Sequence, residues 1–256
     1  MLLTYILLGT LAGGVLSVLL AAVFSLTSLA RLAHTLLSFS VGTMLAVALL
    51  DILPEVAQSM TAQQIGYWLL LGLFLFFTLE KLAYWHHEHG GDPGAETLHA
   101  DHAHHHHPAG AMVVLGDALH NFVDGVMIAA AFLHDTTLGL GITLAVFVHE
   151  IPHEMGAFMV LLHSGYSRAR ALSLNVLSGS AAVFGGVLAF FTLARAHQAI
   201  PYALCLSAAS LIYIAMADLV PELHKHRRPQ DIVQQLALGI LGVAVIAGLM
   251  HLLREA

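Results

Sequence analysis

Apolar runs of about 20 residues recur along the whole chain, separated by short breaks that are polar or contain Gly and Pro. A helix that crosses a bilayer needs roughly 20 apolar residues, each rising about 1.5 Å. The pattern therefore predicts an all-α integral membrane protein with a single polytopic domain over residues 1–256. Its eight predicted spans are residues 2–24, 32–56, 64–85, 111–134, 138–163, 170–194, 199–223 and 232–253.

Two short matches relate the first three spans to the last three. Asp-Ile-Leu-Pro-Glu at residues 51–55 resembles Asp-Leu-Val-Pro-Glu at 218–222, and Gly-Gly-Val-Leu occurs at 13–16 and at 185–188. The members of the two pairs are separated by nearly equal lengths of chain. They predict a 3+2+3 arrangement, in which spans one to three repeat in inverted orientation as spans six to eight around spans four and five.

Composition supports the membrane location. Of the residues, 58% are hydrophobic and 10% are charged, too little charge to cover a soluble surface. The chain has neither a basic patch nor an aromatic platform on a polar surface, so we expect no nucleic acid partner. The single cysteine, Cys205, excludes an internal disulfide and a CxxC metal site.

The nine Lys and Arg residues predict the orientation. The odd-numbered spans are followed by Arg31, Lys81, Arg168, Arg170, Lys225, Arg227 and Arg228, and the opposite side carries Arg195 and Arg254. By the positive-inside rule, both termini face outward and the long break at residues 86–110 faces the cytoplasm. We expect a bacterial plasma membrane, because the sequence shows no long extracellular domain or eukaryotic targeting segment.

The fourth predicted span carries polar residues on one side. Asp117, His120 and Asp124 fall within an arc of about 60° on a helix, and Asn121 lies beside them. A carboxylate at the centre of a spanning helix costs roughly 2.5–3.5 kcal/mol on insertion scales. These side chains therefore need partners inside the bundle.

The fifth predicted span carries the matching set. His149 and His153 share one helical face, and Glu150 and Glu154 share the adjoining face. Imidazoles and carboxylates together suit zinc and similar divalent ions, and a bound dication would neutralise the carboxylates. The two spans together predict a metal site. The alternative is that each polar residue is a satisfied link between helices.

Pro152 lies inside the second group. It has no N–H, and its ring clashes with the carbonyl of Val148, which is left free beside the candidate ligands. A kink at this point would bring His149 and His153 into one coordination shell or let backbone carbonyls join it. Proline is also simply commoner in spanning helices than in soluble ones.

Two motifs resemble a known family. His-Asn-Phe-Val-Asp-Gly at residues 120–125 and His-Glu-Ile-Pro-His-Glu at residues 149–154 resemble the fourth-helix and fifth-helix motifs of the ZIP (Zrt/Irt-like) divalent metal transporters. The second motif is typical of the branch with HExPHE and a histidine-rich loop. The resemblance covers the whole chain and implies eight helices with outward termini.

The resemblance also implies a binuclear metal site near the middle of the membrane. The implied ligands of the first metal are His120, Asp124, His149 and His153, with Met44 of the second span nearby. Those of the second metal are Asn121, Asp124, Glu150 and His153. Some members add a glutamate from helix six, but residues 178–182 hold no carboxylate here, which leaves the second metal open.

The long break is rich in histidine. Its nine histidines are His86, His87, His89, His99, His102, His104, His105, His106 and His107. Flexible histidine tracts bind zinc, nickel or copper with modest affinity, so we expect a cytoplasmic loop that captures or senses metal. The alternative is a solvated linker.

These observations predict transmembrane transport of divalent metal cations, most simply zinc uptake toward the cytoplasm, by a protein that is not an enzyme. Zn²⁺ is then the transported and bound ion, not a cofactor; Fe²⁺, Mn²⁺ and Cd²⁺ are further candidates. The expected partners are these cations, the lipid bilayer and a second copy in a homodimer. Two alternatives stay open: residues 149–153 match the HExxH signature of zinc proteases, and a metal sensor would use the same ligands.

Overall fold

A computed structural model of the chain describes residues 1–27, 32–89, 108–224 and 229–255. The regular structure in these ranges is entirely helical, and eight helices are long and apolar enough to cross a membrane. The predicted all-α membrane class is therefore confirmed.

The eight helices are numbered in chain order. Helix α1 is Leu2–Ser25, α3 is Ala62–His89, α4 is Pro108–His134, α5 is Thr136–His163 and α8 is Pro229–Glu255. Helix α2 consists of Leu32–Ala46, Val47–Ile52 and Leu53–Val56; α6 of Arg168–Gly179 and Ala181–Leu193; and α7 of Ile200–Tyr213, Ile214–Leu219 and Val220–Leu223. These bounds match the predicted spans to within a few residues.

The largest difference is at the long break. Helix α3 continues to His89, and α4 begins at Pro108, so both helices extend into residues 86–110, for which the sequence predicts a loop. Residues 90–107, which carry six of the nine predicted loop histidines, lie outside the described residues. The side chains of the other three also lie outside them.

Helices α4 and α5 occupy the middle of the bundle. They contact each other and are surrounded by α1, α2, α6 and α7, whereas α3 packs on α7 and α8 packs on α2. In the most apolar stretch of each helix, 61% of positions are buried in α5, against 6% in α3 and 17% in α8. Helices α3 and α8 therefore present most of their surface to lipid.

Helices α2 and α7 share a local irregularity. Each contains a six-residue π-helical segment, Val47–Ile52 or Ile214–Leu219, and each has a proline two residues later, Pro54 or Pro221. A proline ring crowds the carbonyl four residues earlier, and a wide turn just before it gives the ring room. Each π-helical segment ends on the second residue of its matched stretch, at Ile52 in residues 51–55 and at Leu219 in residues 218–222. The inverted 3+2+3 arrangement as a whole stays a prediction.

Glycines bring α4 and α6 into backbone contact beside the candidate ligands. A Cβ on Gly125, which directly follows Asp124, would meet the carbonyl of Ala182 in α6. A Cβ on Gly185 would meet the carbonyl of Phe122 in α4. Small residues at such positions let membrane helices approach closely.

We expect Gly125→Val to destabilise the protein by roughly 1–3 kcal/mol, because the added side chain would force α4 and α6 apart. Thermal unfolding of the purified protein in detergent measures the effect. Gly116→Val is the matched control, since a Cβ on this glycine of the same helix meets nothing within 4 Å. Equal unfolding temperatures for the two variants would contradict the assigned α4–α6 contact.

Candidate metal centre

A one-residue turn sets the alignment of α4 and α5. Helix α4 ends at His134, α5 begins at Thr136, and Asp135 between them has an extended backbone. The Asp135 carboxylate accepts a hydrogen bond from the N–H of Leu138 at 3.0 Å, which caps the start of α5. Because both helices rise equally per residue, positions equidistant from Asp135 lie at about the same depth.

Two side-chain pairs follow this register. His120 and Glu150 are equidistant from Asp135 along the chain, and Nε2 of the histidine is 3.0 Å from Oε1 of the glutamate. Asp117 and His153 are likewise equidistant from it, and their Oδ1 and Nδ1 atoms are 3.4 Å apart. The turn therefore pairs a basic nitrogen of one helix with a carboxylate of the other at two depths.

Four side chains direct one donor atom each toward a common point. These atoms are Nε2 of His120, Oδ2 of Asp124, Nε2 of His149 and Oε1 of Glu150, and they all lie within 4.8 Å of one another. The Nε2 atom of His149 is 3.2 Å from the Asp124 oxygen, 3.3 Å from the Glu150 oxygen and 3.4 Å from the His120 nitrogen. Tetrahedral zinc with bonds of about 2.0–2.1 Å separates its ligand atoms by about 3.3–3.4 Å. The three distances at His149 therefore fit a four-coordinate zinc ion, whereas Nε2 of His120 and Oδ2 of Asp124 are 3.9 Å apart and would move closer on binding it.

The group lies deep in the bundle. Asp124, His149 and Glu150 are fully buried, and the side chain of His120 is 16% exposed. His149 is about 20 Å from either end of the 28-residue helix α5. The candidate centre therefore lies near the middle of the span.

A backbone contact prepares His149 for metal binding. Its Nδ1 is 3.0 Å from the carbonyl oxygen of Ala145, one turn earlier. A carbonyl oxygen can only accept a hydrogen bond, so Nδ1 carries the proton. The lone pair of Nε2 therefore faces the other three ligand atoms of the group. Proteins usually orient a metal-binding histidine by a hydrogen bond from the ring nitrogen that does not bind the metal.

Several buried oxygens at the centre find no hydrogen-bond donor among the described residues. They include Oδ1 of Asp124, Oε2 of Glu150, Oε2 of Glu154 and Oδ1 of Asn121. A buried carboxylate oxygen without a donor is costly, and a divalent cation is a partner that would compensate it.

Asp117, Asn121 and Glu154 were also predicted for the site, and they belong to a polar network toward α6. The Asp117 carboxylate accepts a hydrogen bond from Ser178 Oγ at 2.5 Å. The side-chain amide of Asn121 donates to Glu154 Oε1 at 3.3 Å, and that of Asn175 donates to the backbone oxygen of Glu154 at 3.3 Å. Helix α6 thus supplies uncharged hydrogen-bond donors, the Ser178 hydroxyl and the Asn175 amide. Ser178 and Asn175 are not among the site residues predicted from the sequence, although a polar side chain inside an apolar span could have indicated each of them.

His153 lies beside the four-ligand group. Its Nδ1 faces Asp117, and its ring stacks on the ring of His120 with centroids 4.6 Å apart. The resemblance implies His153 as a ligand of the first metal, whereas in this geometry the fourth donor atom comes from Glu150.

Helix α2 contacts the site from the opposite side. The Ser40 hydroxyl shares its one hydrogen between the carbonyl of Leu36, at 2.7 Å, and that of Val148, at 3.1 Å. The Val148 carbonyl is the one that loses its helical partner to Pro152. Helix α5 continues through the proline without interruption. Met44, one turn after Ser40, is fully buried in the apolar core. The sequence predicts a free backbone carbonyl here, and Ser40 supplies its donor.

Comparison with known proteins identifies the family. A family model described as ZIP Zinc transporter matches residues 1–108 and 85–250, well over half of the chain. The chain belongs to the ZIP zinc transporter family. The prediction drawn from the two motifs is thereby confirmed at the level of the family, and the branch with a histidine-rich loop stays a prediction.

Relatives within the ZIP family carry zinc transporter names. The chain is 36% identical over 146 residues to human zinc transporter ZIP4, which covers 56% of this chain and 22% of that protein. It is 29% identical over 226 residues to zinc transporter ZIP13 of Pongo abelii, with 82% and 65% covered. It is 35% identical over 142 residues to zinc transporter foi of Drosophila melanogaster, with 56% and 20% covered. The chain therefore spans between a fifth and about two thirds of these relatives' lengths.

We expect Asp124→Asn and His149→Gln each to remove one tightly bound zinc ion per chain, because each variant takes a ligand from the four-donor group. The affinity should fall by more than the roughly 10–100-fold that loss of an outer-shell partner costs. Calorimetric titration of the purified protein measures this, and weaker zinc bound elsewhere should be unchanged.

His163→Gln is the control for this titration. His163 lies on the same helix, and its Nδ1 donates to the carbonyl of Met159 within its own turn. Retention of the tight ion in both ligand variants would show that zinc binds elsewhere.

Proposed function

We propose that this ZIP family member carries zinc across a membrane through the centre formed by His120, Asp124, His149 and Glu150. The observation that supports it best is the convergence of four donor atoms, at spacings suited to zinc, in the middle of two spanning helices. Relatives named zinc transporters favour zinc as the ion. The same donors suit Fe²⁺, Mn²⁺ and Cd²⁺ as further substrates.

The proposed centre holds one ion at a time. A second ion would need further anionic ligands, and α6 contributes the hydroxyl of Ser178 and the amide of Asn175 in place of a carboxylate. The side-chain N–H of Asn121 donates to Glu154. Oδ1 of Asn121 and Oε2 of Glu154 find no donor among the described residues, so the second ion of the predicted binuclear site stays a prediction.

The proposed direction is toward the cytoplasm. The ion enters at the end of the bundle that carries the termini, exchanges water for the four ligands, and leaves toward the histidine-rich segment after α3. The seven-to-two distribution of Lys and Arg supports this orientation. Assembly as a homodimer and a location in a bacterial plasma membrane stay predictions.

The geometry disfavours the protease alternative. In HExxH enzymes the two histidines bind zinc, and the glutamate stays off the metal to activate a water molecule in an open position. Here Glu150 supplies a donor atom to the four-ligand group, and the second histidine of the motif, His153, faces Asp117. In the proposed centre Glu150 is therefore a ligand and not a free base, and four protein ligands would fill the coordination shell of a tetrahedral ion.

We expect purified protein in sealed liposomes to admit zinc, and we expect Asp124→Asn to lose at least about 90% of the flux, because the ion loses its central anionic ligand. A zinc-sensitive dye inside the liposomes records the rate. His163→Gln should transport as the wild type does.

Two outcomes would count against transport. Tight zinc binding without flux in the wild type would favour the sensor alternative. Normal flux in Asp124→Asn would show that the ion follows another route.

The orientation can be tested with single cysteines. Gln198 and Ala169 are exposed at opposite ends of the bundle, and the native Cys205 is fully buried. We expect Gln198→Cys to react with a membrane-impermeant maleimide in intact cells, and Ala169→Cys to react only after permeabilisation. The reverse pattern would place the termini in the cytoplasm and invert the proposed direction.

A further inference from the structure

A second buried acid lies apart from the metal centre. Asp51 belongs to the π-helical segment Val47–Ile52 of α2, and its side chain is 4% exposed. Its Oδ1 is 3.4 Å from Nη2 of Arg254, near the end of α8, while its Oδ2 finds no donor among the described residues. The Arg254 side chain is 53% exposed.

Asp51 lies at a depth between the end of α2 and the metal centre. Ser40 marks the level of the centre, because it bonds to the carbonyl of Val148 next to His149. Asp51 is three turns further along α2, or roughly 16 Å toward the end of the bundle that carries the chain termini. The π-helical segment around Asp51 contacts both α5 and α7.

A second carboxylate contact lies one turn further out on α2, between Glu55 and the imidazole of His134. Oε1 of Glu55 is 3.0 Å from Nε2 of His134 at the end of α4, and both side chains are about a quarter exposed. Carboxylates therefore occur in succession from the outer end of α2 inward, first partly exposed and then buried. This succession suits the approach of a cation to the centre.

A cation that reaches Asp51 would share its carboxylate with Arg254. A dication on Asp51 would lie within a few ångströms of the Arg254 guanidinium, and the two positive charges would repel each other. Because Arg254 is more than half exposed on a long side chain, it can move into water and leave the carboxylate. The arriving ion and the arginine therefore compete for one acid.

We propose that Arg254 is a tethered counter-ion of Asp51 that the incoming dication displaces, and that it sets the apparent affinity for the transported ion. The inference rests on the proposed transport function. In the metal-free protein the arginine compensates a carboxylate that would otherwise be buried without a partner. Asp51 attracts a monovalent ion no more strongly than it attracts the single charge of the arginine, whereas a dication gains about twice the coulombic attraction. The pair therefore favours divalent ions over monovalent ones.

Zinc flux into liposomes, measured over a range of zinc concentrations, tests the inference. We expect Arg254→Gln to lower KM by roughly two- to fivefold at an unchanged maximal rate, the effect expected for removing one partly exposed charge. Arg254→Lys keeps the charge and should stay near the wild type. Arg195→Gln removes an exposed arginine at the same end of the bundle and should leave KM unchanged.

The Asp51→Asn background distinguishes this role from a general surface charge. In that background Arg254→Gln should have no further effect on KM, because the shared acid is gone. An equal fall in KM in both backgrounds would overturn the inference, as would an unchanged or raised KM in Arg254→Gln alone. Unfolding temperatures in detergent show whether each variant is folded.

The outcomes for this inference and for transport itself are separable. Absence of zinc flux in the wild type overturns both. Wild-type flux with an unaltered KM in Arg254→Gln overturns the role of the arginine and leaves transport standing.

Discussion

The bundle is organised around the need to hold four carboxylates and three imidazoles among apolar helices. Each such group would be costly alone inside a membrane. The turn at Asp135 meets this constraint by placing His120 opposite Glu150 and His153 opposite Asp117. Basic nitrogens and carboxylate oxygens thus face each other at matched depths. A divalent cation would complete the arrangement, because the ligand atoms that converge from α4 and α5 include carboxylate oxygens for which the described residues supply no hydrogen-bond donor.

The neighbouring helices serve this central pair. Helix α6 packs against α4 through Gly125 and Gly185 and directs Ser178 to the carboxylate of Asp117. Helix α2 satisfies the carbonyl that Pro152 frees in α5. Helices α3 and α8 lie at the periphery and complete the apolar surface. Close backbone packing thus joins α6 to α4, and a hydrogen bond joins α2 to α5.

In the proposed function, the ion must be bound strongly enough to replace its water and weakly enough to be released. The four-donor group provides the first requirement, and neutral donors from α6, in place of another carboxylate, limit the negative charge around it. Asp51 with Arg254, and Glu55 with His134, place exchangeable charges between solvent and the centre. On the proposed route, both acids have an arginine or imidazole partner in the metal-free protein.

Apolar run length determined the eight helices, because the thickness of a bilayer fixes how many residues cross it. The two motifs determined the family, since few chains place histidines and carboxylates at these spacings inside spans. Tertiary structure decided which candidate ligands converge: it brings Glu150 to the four-donor group and turns His153 to Asp117. Part of that pairing was implicit in the sequence, since His120 and Glu150 are equidistant from Asp135. The predicted spans, however, placed the turn between α4 and α5 only to within a few residues. The contacts of Ser40, Ser178 and Arg254 join residues far apart in the chain, and only the packing of the helices creates them.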